Sequence, residues 1–138
     1  MTAALLALAL AFPHGAATID TPRTQVKVRV EIADNDARRE QGLMFRTRLA
    51  RNAGMAFVWR SDVAGAFWMK NTRVPLSIAF YDARGRIVRI LDMAPCNADP
   101  CPLYDPKATY RGALEVNRGA FRRWKVRVGD RITVRRLR

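Results

Sequence analysis

The sequence predicts a mainly β fold at the borderline of α+β: a single compact, mostly antiparallel β-sandwich or barrel-like domain with one or two short helices. Short apolar or alternating stretches recur along the chain and are bounded by Gly, Pro, Asn and Asp, as is typical of strands. The stretches that suit helices are brief. A chain of 138 residues suits one domain, and such a domain buries roughly two-thirds of its extended-chain surface.

Two strands are predicted in the stretch 66–81, around which the other elements are organised. Ala66–Lys70 is short and aromatic, and it ends before Asn71. Leu76–Tyr81 follows Pro75, a residue that can begin a strand but cannot occupy the middle of a central one. A polar interruption therefore separates the two strands.

A hairpin is predicted next, with a three-residue loop at 83–85 and Gly85 in the left-handed position of a bulged turn. Its expected cross-strand pairs are Asp82 with Arg86, Phe80 with Val88, and Ile78 with Ile90. A register shifted by one residue would bring the charged Arg89 against the apolar face.

The remaining elements follow from alternation, capping residues and glycines. In chain order they are a strand at 25–32, a helix at 37–44 capped by Asp34, Asn35 or Asp36 and stopped near Gly42, a strand at 54–59, a strand at 110–116, a helix at 118–124 capped by Asn117, and a strand at 132–134. Four prolines between residues 94 and 106 disfavour both a helix and a central strand there.

The N-terminus predicts export. Ala3–Phe12 is apolar and is followed by small residues at 15–17, as in a signal peptide and its cleavage site. The run is too short to span a bilayer, which takes about 20 residues. The expected organisation is a signal peptide at 1–17, a flexible arm at 18–24 and one β-rich domain at 25–138, periplasmic or secreted and without a transmembrane segment in the mature form. The competing interpretation is a buried N-terminal segment.

The chain is strongly basic, with a formal net charge of +13, and its positive residues are nearly all arginine. Such a surface attracts anions. It is either a solvated basic face or a surface that docks on envelope polyanions, in which case binding should weaken with salt. No basic helix or aromatic-interleaved groove is evident, so no nucleic-acid partner is expected.

Two cysteines, Cys96 and Cys101, lie in the proline-rich segment. In an oxidising compartment they are expected to form a disulfide, whose small loop constrains the unfolded chain by roughly 2 kcal/mol. The alternative is two free thiols in a cytosolic protein. Four residues separate the cysteines rather than the two of common redox motifs, which disfavours redox catalysis.

Several common chemistries are excluded by composition. The only histidine is His14, within the predicted signal peptide, so a mature protein has no Ser-His-Asp or Cys-His mechanism. Two cysteines cannot by themselves fill a zinc site with four N or S ligands. No glycine-rich phosphate loop of a known type is present. No metal and no cofactor is therefore predicted.

The candidate ligand pocket is placed around Trp68, Lys70, Asn71 and Tyr104. A lysine among apolar neighbours can act as base or nucleophile; alternatively its stem only covers Trp68. Asn71 either serves the pocket or caps a turn, and Tyr104 either closes the pocket or anchors its own loop. Glu115 sits among apolar residues, so it is expected to be buried and paired or outward and solvated.

Arg39, Glu40 and Arg46 are the next candidates, since Glu40 could orient an arginine by pairing with it. The favoured function is a monomeric exported domain that binds a polar or anionic small ligand. The first alternative is an enzyme that uses Lys70 with Glu40 or Asp82 as acid and base. The second is a basic module that docks on envelope polyanions.

The sequence resembles the "domain of unknown function" family 192. The resemblance is carried by Arg39 to Arg46, Phe67 to Thr72, Pro95-Cys96 with Cys101 to Tyr104, Ala113 to Asn117, and the turn Val128-Gly129-Asp130. It implies a compact, mostly antiparallel β fold with one or two short helices, often behind a signal peptide, and it implies no established reaction. Ser77 departs from the aspartate expected in relatives, which weakens any transfer of a ligand-binding role to that position.

Overall fold

The computed structural model describes residues 10–138. In that part of the chain the elements are β1 (His14–Asp20), β2 (Gln25–Ala33), α1 (Asp36–Gln41), β3 (Ala53–Val63), β4 (Phe67–Trp68), β5 (Leu76–Tyr81), β6 (Ile87–Met93), β7 (Leu103–Tyr104), β8 (Tyr110–Asn117), α2 (Ala120–Arg123) and β9 (Arg131–Arg136).

Seven of the strands form one mixed sheet in the order β6-β5-β8-β3-β2-β1-β9, and β4 pairs with β7 in a small separate ribbon. Only the β2–β3 pair of the large sheet is parallel. The sheet curls until its edges meet at one end, where the amide of Ile132 donates to Gly85 O at 2.8 Å. It does not close into a barrel. The predicted mainly β, mostly antiparallel fold with two short helices is confirmed.

Apolar side chains cover both faces of the sheet. One cluster includes Phe121 and lies under α2, and the other includes Leu43 and lies beside the end of α1. Strand β5 is buried at all six positions because its side chains alternate between the two clusters. A strand buried on both faces is expected to be apolar almost throughout, as Leu76–Tyr81 is.

The N-terminal prediction needs correction. The segment expected to be a flexible arm at 18–24 contains the end of β1, which pairs with β2 on one side and β9 on the other. Ala17 and Ile19 are fully buried. The boundary predicted at residue 17 falls within this strand. The apolar run at 3–9 lies outside the described residues.

The sequence did not predict strand β1 because small residues occur both at cleavage sites and in closely packed strand pairs. Gly15 suits a cleavage site, but it also lies where a Cβ would collide with the carbonyl oxygen of Arg135 on β9. The small side chain here thus permits close approach of two backbones within a sheet.

The hairpin loop and the pairing of Asp82 with Arg86 are confirmed, since the Asp82 amide donates to Arg86 O at 2.9 Å. The predicted register beyond that pair is wrong. The amide of Gly85 donates to Asp82 O at 2.9 Å, and Gly85 has φ 84°. Tyr81 pairs with Ile87 but Phe80 pairs with Arg89, because a β-bulge inserts Val88 between the two pairs. Strand β6 is an edge strand, so Arg89 reaches solvent and the shifted register costs little.

The two predicted helix caps had different outcomes. Asn35 caps α1 and its side chain accepts from the Arg38 amide at 2.9 Å, while Gly42 ends the helix at φ 49°. Asn117 does not cap α2, which begins two residues later, after Gly119. Its side-chain amide instead donates to the carbonyl oxygen of Leu49 at 2.8 Å, which ties β8 to the loop before β3.

Ser77 has a structural role. Its buried hydroxyl donates to Asp92 Oδ1 at 2.6 Å and accepts from the Gly119 amide at 3.0 Å. One oxygen thus joins β5, β6 and the start of α2. The bond from Ser77, aided by Arg122, holds the pKa of Asp92 below its usual value. The departure noted at this position is accommodated by a hydrogen bond to a neighbouring carboxylate.

The position of β1 can be tested by substitution. Replacing Ile19 with alanine should lower the free energy of unfolding by about 2–5 kcal/mol, since it empties a fully buried site. Thr18→Ala, on the half-buried opposite face, is the matched control and should cost less than about 1 kcal/mol. Urea denaturation measures both. Equal and negligible effects, as a flexible arm would give, would contradict the fold.

Candidate functional site

A cavity lies between α1 and the β3–β4 connection, over the sheet face that carries Glu115. We call it the Glu115 cavity. It has a volume of about 430 Å³, within the range of small-molecule sites. Its lining comprises Asp36, Arg39, Glu40, Gln41, Gly42, Leu43, Met44, Phe57, Trp59, Val63, Ala64, Gly65, Ala66, Phe67, Trp68, Thr72, Tyr110 and Glu115.

Aromatic side chains form one side of the cavity, with Phe67 at their centre. Its ring meets Phe57 edge-on at 5.0 Å and Phe80 at 5.5 Å between centroids, and it lies 6.3 Å from Trp59. Tyr110 packs on the same group and donates its hydroxyl to Gly65 O at 3.0 Å. That bond fixes the chain at the cavity rim, so the aromatic wall is held by both packing and hydrogen bonding.

Arg39 forms a second wall, where its guanidinium group makes three contacts. Its guanidinium lies over the Trp59 ring at 5.2 Å from the centroid, a cation–π distance. It donates to Val58 O at 2.8 Å and to the Asp36 carboxylate at 2.9 Å. The predicted pairing of Arg39 with Glu40 is not formed.

Glu115 lies on the cavity floor. Strand β8 is central in the sheet, and the neighbours of Glu115 on the flanking strands are Met55 and Ile78. The residue is 4% exposed, and no donor among residues 10–138 reaches its carboxyl group. Burial raises its pKa to about 8, so the carboxyl is mostly protonated at pH 7. Neither predicted state holds: Glu115 is buried, unpaired and at the cavity.

The predicted pocket at Lys70 is not formed as expected. Lys70 Nζ binds the Asp99 carboxylate at 2.7 Å and lies 5.5 Å from the centroid of the Trp68 ring. The amine therefore contacts the disulfide-bearing loop, but Lys70 does not line the Glu115 cavity. Trp68 does line it and is 45% exposed.

Asn71 and Tyr104 have local structural roles. Asn71 adopts φ 57°, a left-handed conformation that asparagine tolerates, and its amide donates to Cys96 O at 2.8 Å. The Tyr104 hydroxyl accepts from the Ala94 amide at 3.1 Å, and its backbone pairs with Phe67. Both residues lie outside the Glu115 cavity and hold the loop that follows β6.

The other predicted charged residues are dispersed. Arg46 makes a two-pronged bond to Glu31 at 2.7 and 2.9 Å, so it does not pair with Glu40, which is exposed at the cavity rim. Asp82 accepts from the amides of Arg84 and Arg86 in the hairpin turn. The acid–base pairing of Lys70 with Glu40 or Asp82 is thus not assembled.

The predicted disulfide between Cys96 and Cys101 is present. The backbone of Cys96 forms isolated β-bridges with Lys70 and Thr72, which attach the proline-rich loop to the chain after β4. The short β4–β7 ribbon continues this attachment. The loop therefore fixes the outer side of the segment that carries Phe67 and Trp68.

The sequence pattern alone did not predict a functional role for Glu115. The available signal was a carboxylate in a strand whose neighbours in sequence, Leu114 and Val116, are apolar. Only the sheet order shows that this strand is central, where a charged side chain has no easy route to solvent.

No cluster of three or more potential metal-ligating side chains occurs within residues 10–138. In the same part of the chain, neither helix has the length and apolar character that a bilayer crossing requires.

The fold and cavity define a small β domain with one buried carboxyl group in an aromatic pocket. The chain belongs to the DUF192 family, described as "Uncharacterized ACR", which matches residues 17–134. No protein with a curated description matches it. Three of the five segments that carry the family resemblance, those containing Arg39, Phe67 and Glu115, meet at the cavity.

Two solved structures are similar over nearly the whole chain. A Sinorhizobium meliloti 1021 protein, provisionally described as a transcription regulator, is 29% identical with a TM-score of 0.84, and the match covers 91% of this chain and 96% of that one. A Novosphingobium aromaticivorans DSM 12444 protein of unknown function is 27% identical with a TM-score of 0.81, covering 93% and 96%.

The state of Glu115 predicts a pH-dependent stability. Its pKa is about 8 in the folded protein against an ordinary value of 4.5, so the native state holds this proton more tightly than the unfolded chain. The resulting stabilisation is complete below pH 4.5 and is lost as the pH rises towards 8, by at most about 1.4 kcal/mol per pH unit.

The measurement compares wild type with Glu115→Gln by urea denaturation at pH 5, 6, 7 and 8. Titrations of all other groups are common to both proteins, so the difference between them isolates Glu115. The free energy of unfolding of the wild type should fall relative to the variant as pH rises. Parallel curves would show that Glu115 is not buried in an apolar setting.

Proposed function

We propose that this protein is an exported domain that binds a polar small molecule in the Glu115 cavity. The observation that carries the proposal is the carboxyl group of Glu115, which is 4% exposed, receives no hydrogen bond from residues 10–138 and lines an aromatic cavity. Its oxygens are not sealed from solvent. A bound molecule with a donor would replace water there and hydrogen-bond the carboxyl in a largely apolar setting.

The cavity has the composition of a binding site. Apolar or aromatic side chains supply ten of its eighteen lining residues, and polar or charged side chains supply six. Its walls are also rigid, because the aromatic residues pack on one another and Arg39 is bonded on several sides. Preformed walls lower the entropic cost of binding.

Export is supported by the disulfide, since such bonds persist in oxidising compartments. Processing after residue 17 is not part of the proposal, because that cut would divide β1.

Docking on polyanions is the second candidate function. A groove beside Trp124 is lined by four basic residues, Arg23, Arg123, Lys125 and Arg127. Binding of heparin to this groove should weaken steeply with salt, and salt-independent binding would remove this candidate.

The description of the Sinorhizobium protein as a transcription regulator is not extended to this chain. Helices α1 and α2 have six and four residues, respectively. A recognition helix that fills a DNA major groove is longer than either.

Ligand binding is tested by a thermal-shift screen of a broad library of small polar compounds on three proteins. The wild type and Lys70→Ala should respond to the same compound, because Lys70 lies outside the cavity. Ala66→Trp, which places a large ring at the exposed rim, should lose the response. A compound at 100 times its Kd adds about 2.7 kcal/mol of stability. Equal shifts in all three proteins would place binding elsewhere, and no shift in any would reject the proposal.

Export is tested separately by producing the full chain in a Gram-negative host and fractionating the cells. The protein should be recovered outside the cytoplasm with no free thiol until it is reduced, and with two free thiols afterwards. Recovery in the cytoplasm with both thiols reactive would contradict export.

A further inference from the structure

The charges around the Glu115 cavity differ in sign from those of the whole chain. The protein has a formal net charge of +13, yet its cavity is lined by three carboxyl groups, those of Asp36, Glu40 and Glu115, and by a single guanidinium, that of Arg39. The cavity is therefore a locally acidic site in a basic protein.

The one cation in the lining is not available to a ligand as a free charge. Arg39 is paired with the solvent-exposed Asp36 carboxylate at 2.9 Å, and a further N–H of the guanidinium donates to Val58 O at 2.8 Å. One face of the group is covered by Trp59. An anionic ligand would find this arginine already paired, and it would lie close to the Glu40 carboxylate.

The aromatic wall suits a cation for an independent reason. The faces of aromatic rings carry negative electrostatic potential and attract ammonium and guanidinium groups. Trp59 already holds the guanidinium of Arg39 in this way at 5.2 Å. Phe57, Phe67, Trp68 and Tyr110 present further aromatic surface around the remaining space.

We propose that the Glu115 cavity selects an organic cation, a compact amine or ammonium compound with an apolar or aromatic body, whose charged nitrogen binds the Glu115 carboxylate. This inference rests on the proposed function and names its ligand class. It replaces the anionic ligand that the net charge of the chain suggested. Charge-assisted hydrogen bonds are among the strongest that a buried carboxylate can form.

Ionising Glu115 is a modest obstacle to such binding. Burial sets its pKa at about 8, so at pH 7 roughly one molecule in ten carries the carboxylate. The penalty on affinity is therefore about tenfold at pH 7 and about twofold at pH 8. The other ionisable groups that face the cavity are Asp36, Arg39 and Glu40 of the α1 side and Tyr110 of β8.

The test uses three probes with the same aromatic body and different charge: 2-phenylethylammonium, 2-phenylethanol and 3-phenylpropanoate. Their affinities for wild type, Glu115→Gln and Lys70→Ala are measured by calorimetry at pH 8 and 0.15 M salt. Wild type and Lys70→Ala should bind the ammonium at least tenfold more tightly than the alcohol or the carboxylate. Glu115→Gln keeps the side-chain volume but cannot ionise, so it should bind the ammonium and the alcohol about equally.

The outcomes separate this inference from the proposed function. Tighter binding of the alcohol or the carboxylate in wild type would overturn the cation preference while leaving the cavity as a binding site. The same holds if Glu115→Gln keeps the preference for the ammonium. If none of the three probes binds, the cation inference is rejected, and the cavity itself is judged by the broad screen with Ala66→Trp. The comparison among probes within the wild type does not depend on how any variant folds.

Discussion

A carboxyl group in the middle of the large sheet, which no donor from residues 10–138 reaches, is the constraint on which the site depends. Glu115 lies on β8, between β3 and β5, with Met55 and Ile78 as its lateral neighbours. It lines the cavity, so the occupant of that space decides the surroundings of the carboxyl group. Carboxyl groups whose pKa is shifted by burial are concentrated at functional sites.

The surrounding structure keeps the cavity from collapsing around Glu115. Here Phe67 is held from outside by the β4–β7 ribbon and from inside by Phe57 and Phe80. The disulfide-bearing loop braces the chain after that ribbon through the backbone β-bridges of Cys96. Lys70 forms a solvent-exposed ion pair with Asp99 and lies outside the cavity lining.

Local signals in the sequence were sufficient for much of the fold. Alternation located β2, an asparagine cap and a glycine located α1, and Gly85 located the hairpin loop. These features depend on residues close together in the chain. The register of β5 and β6 was missed because a bulge at Val88 has no distinctive residue type, and because an edge strand tolerates an exposed arginine. Strand β1 was missed because small residues suit both a cleavage site and a tightly packed strand pair.

The site was harder to predict than the fold because it is made by long-range contacts. Trp68, Arg39 and Glu40 were identified as candidates and line the cavity, whereas the other candidates, Lys70, Asn71, Tyr104 and Arg46, lie outside its lining. The groups that could pair with Glu115 lie on α1, β3 and the 64–68 segment, which are distant from it in the chain. Net charge also misled, since the total of +13 conceals a local excess of carboxyl groups. A global sum says nothing about the sign of the field inside one cavity.

The most direct test of this account is an NMR titration of the side-chain carboxyl carbon of Glu115 in the free protein, assigned by comparison with Glu115→Gln. The account predicts a midpoint near pH 8, well above that of the other carboxyl groups. A midpoint near the ordinary value of 4.5 would mean that Glu115 is solvated or paired, and the cavity would then lose the feature that identifies it as a site.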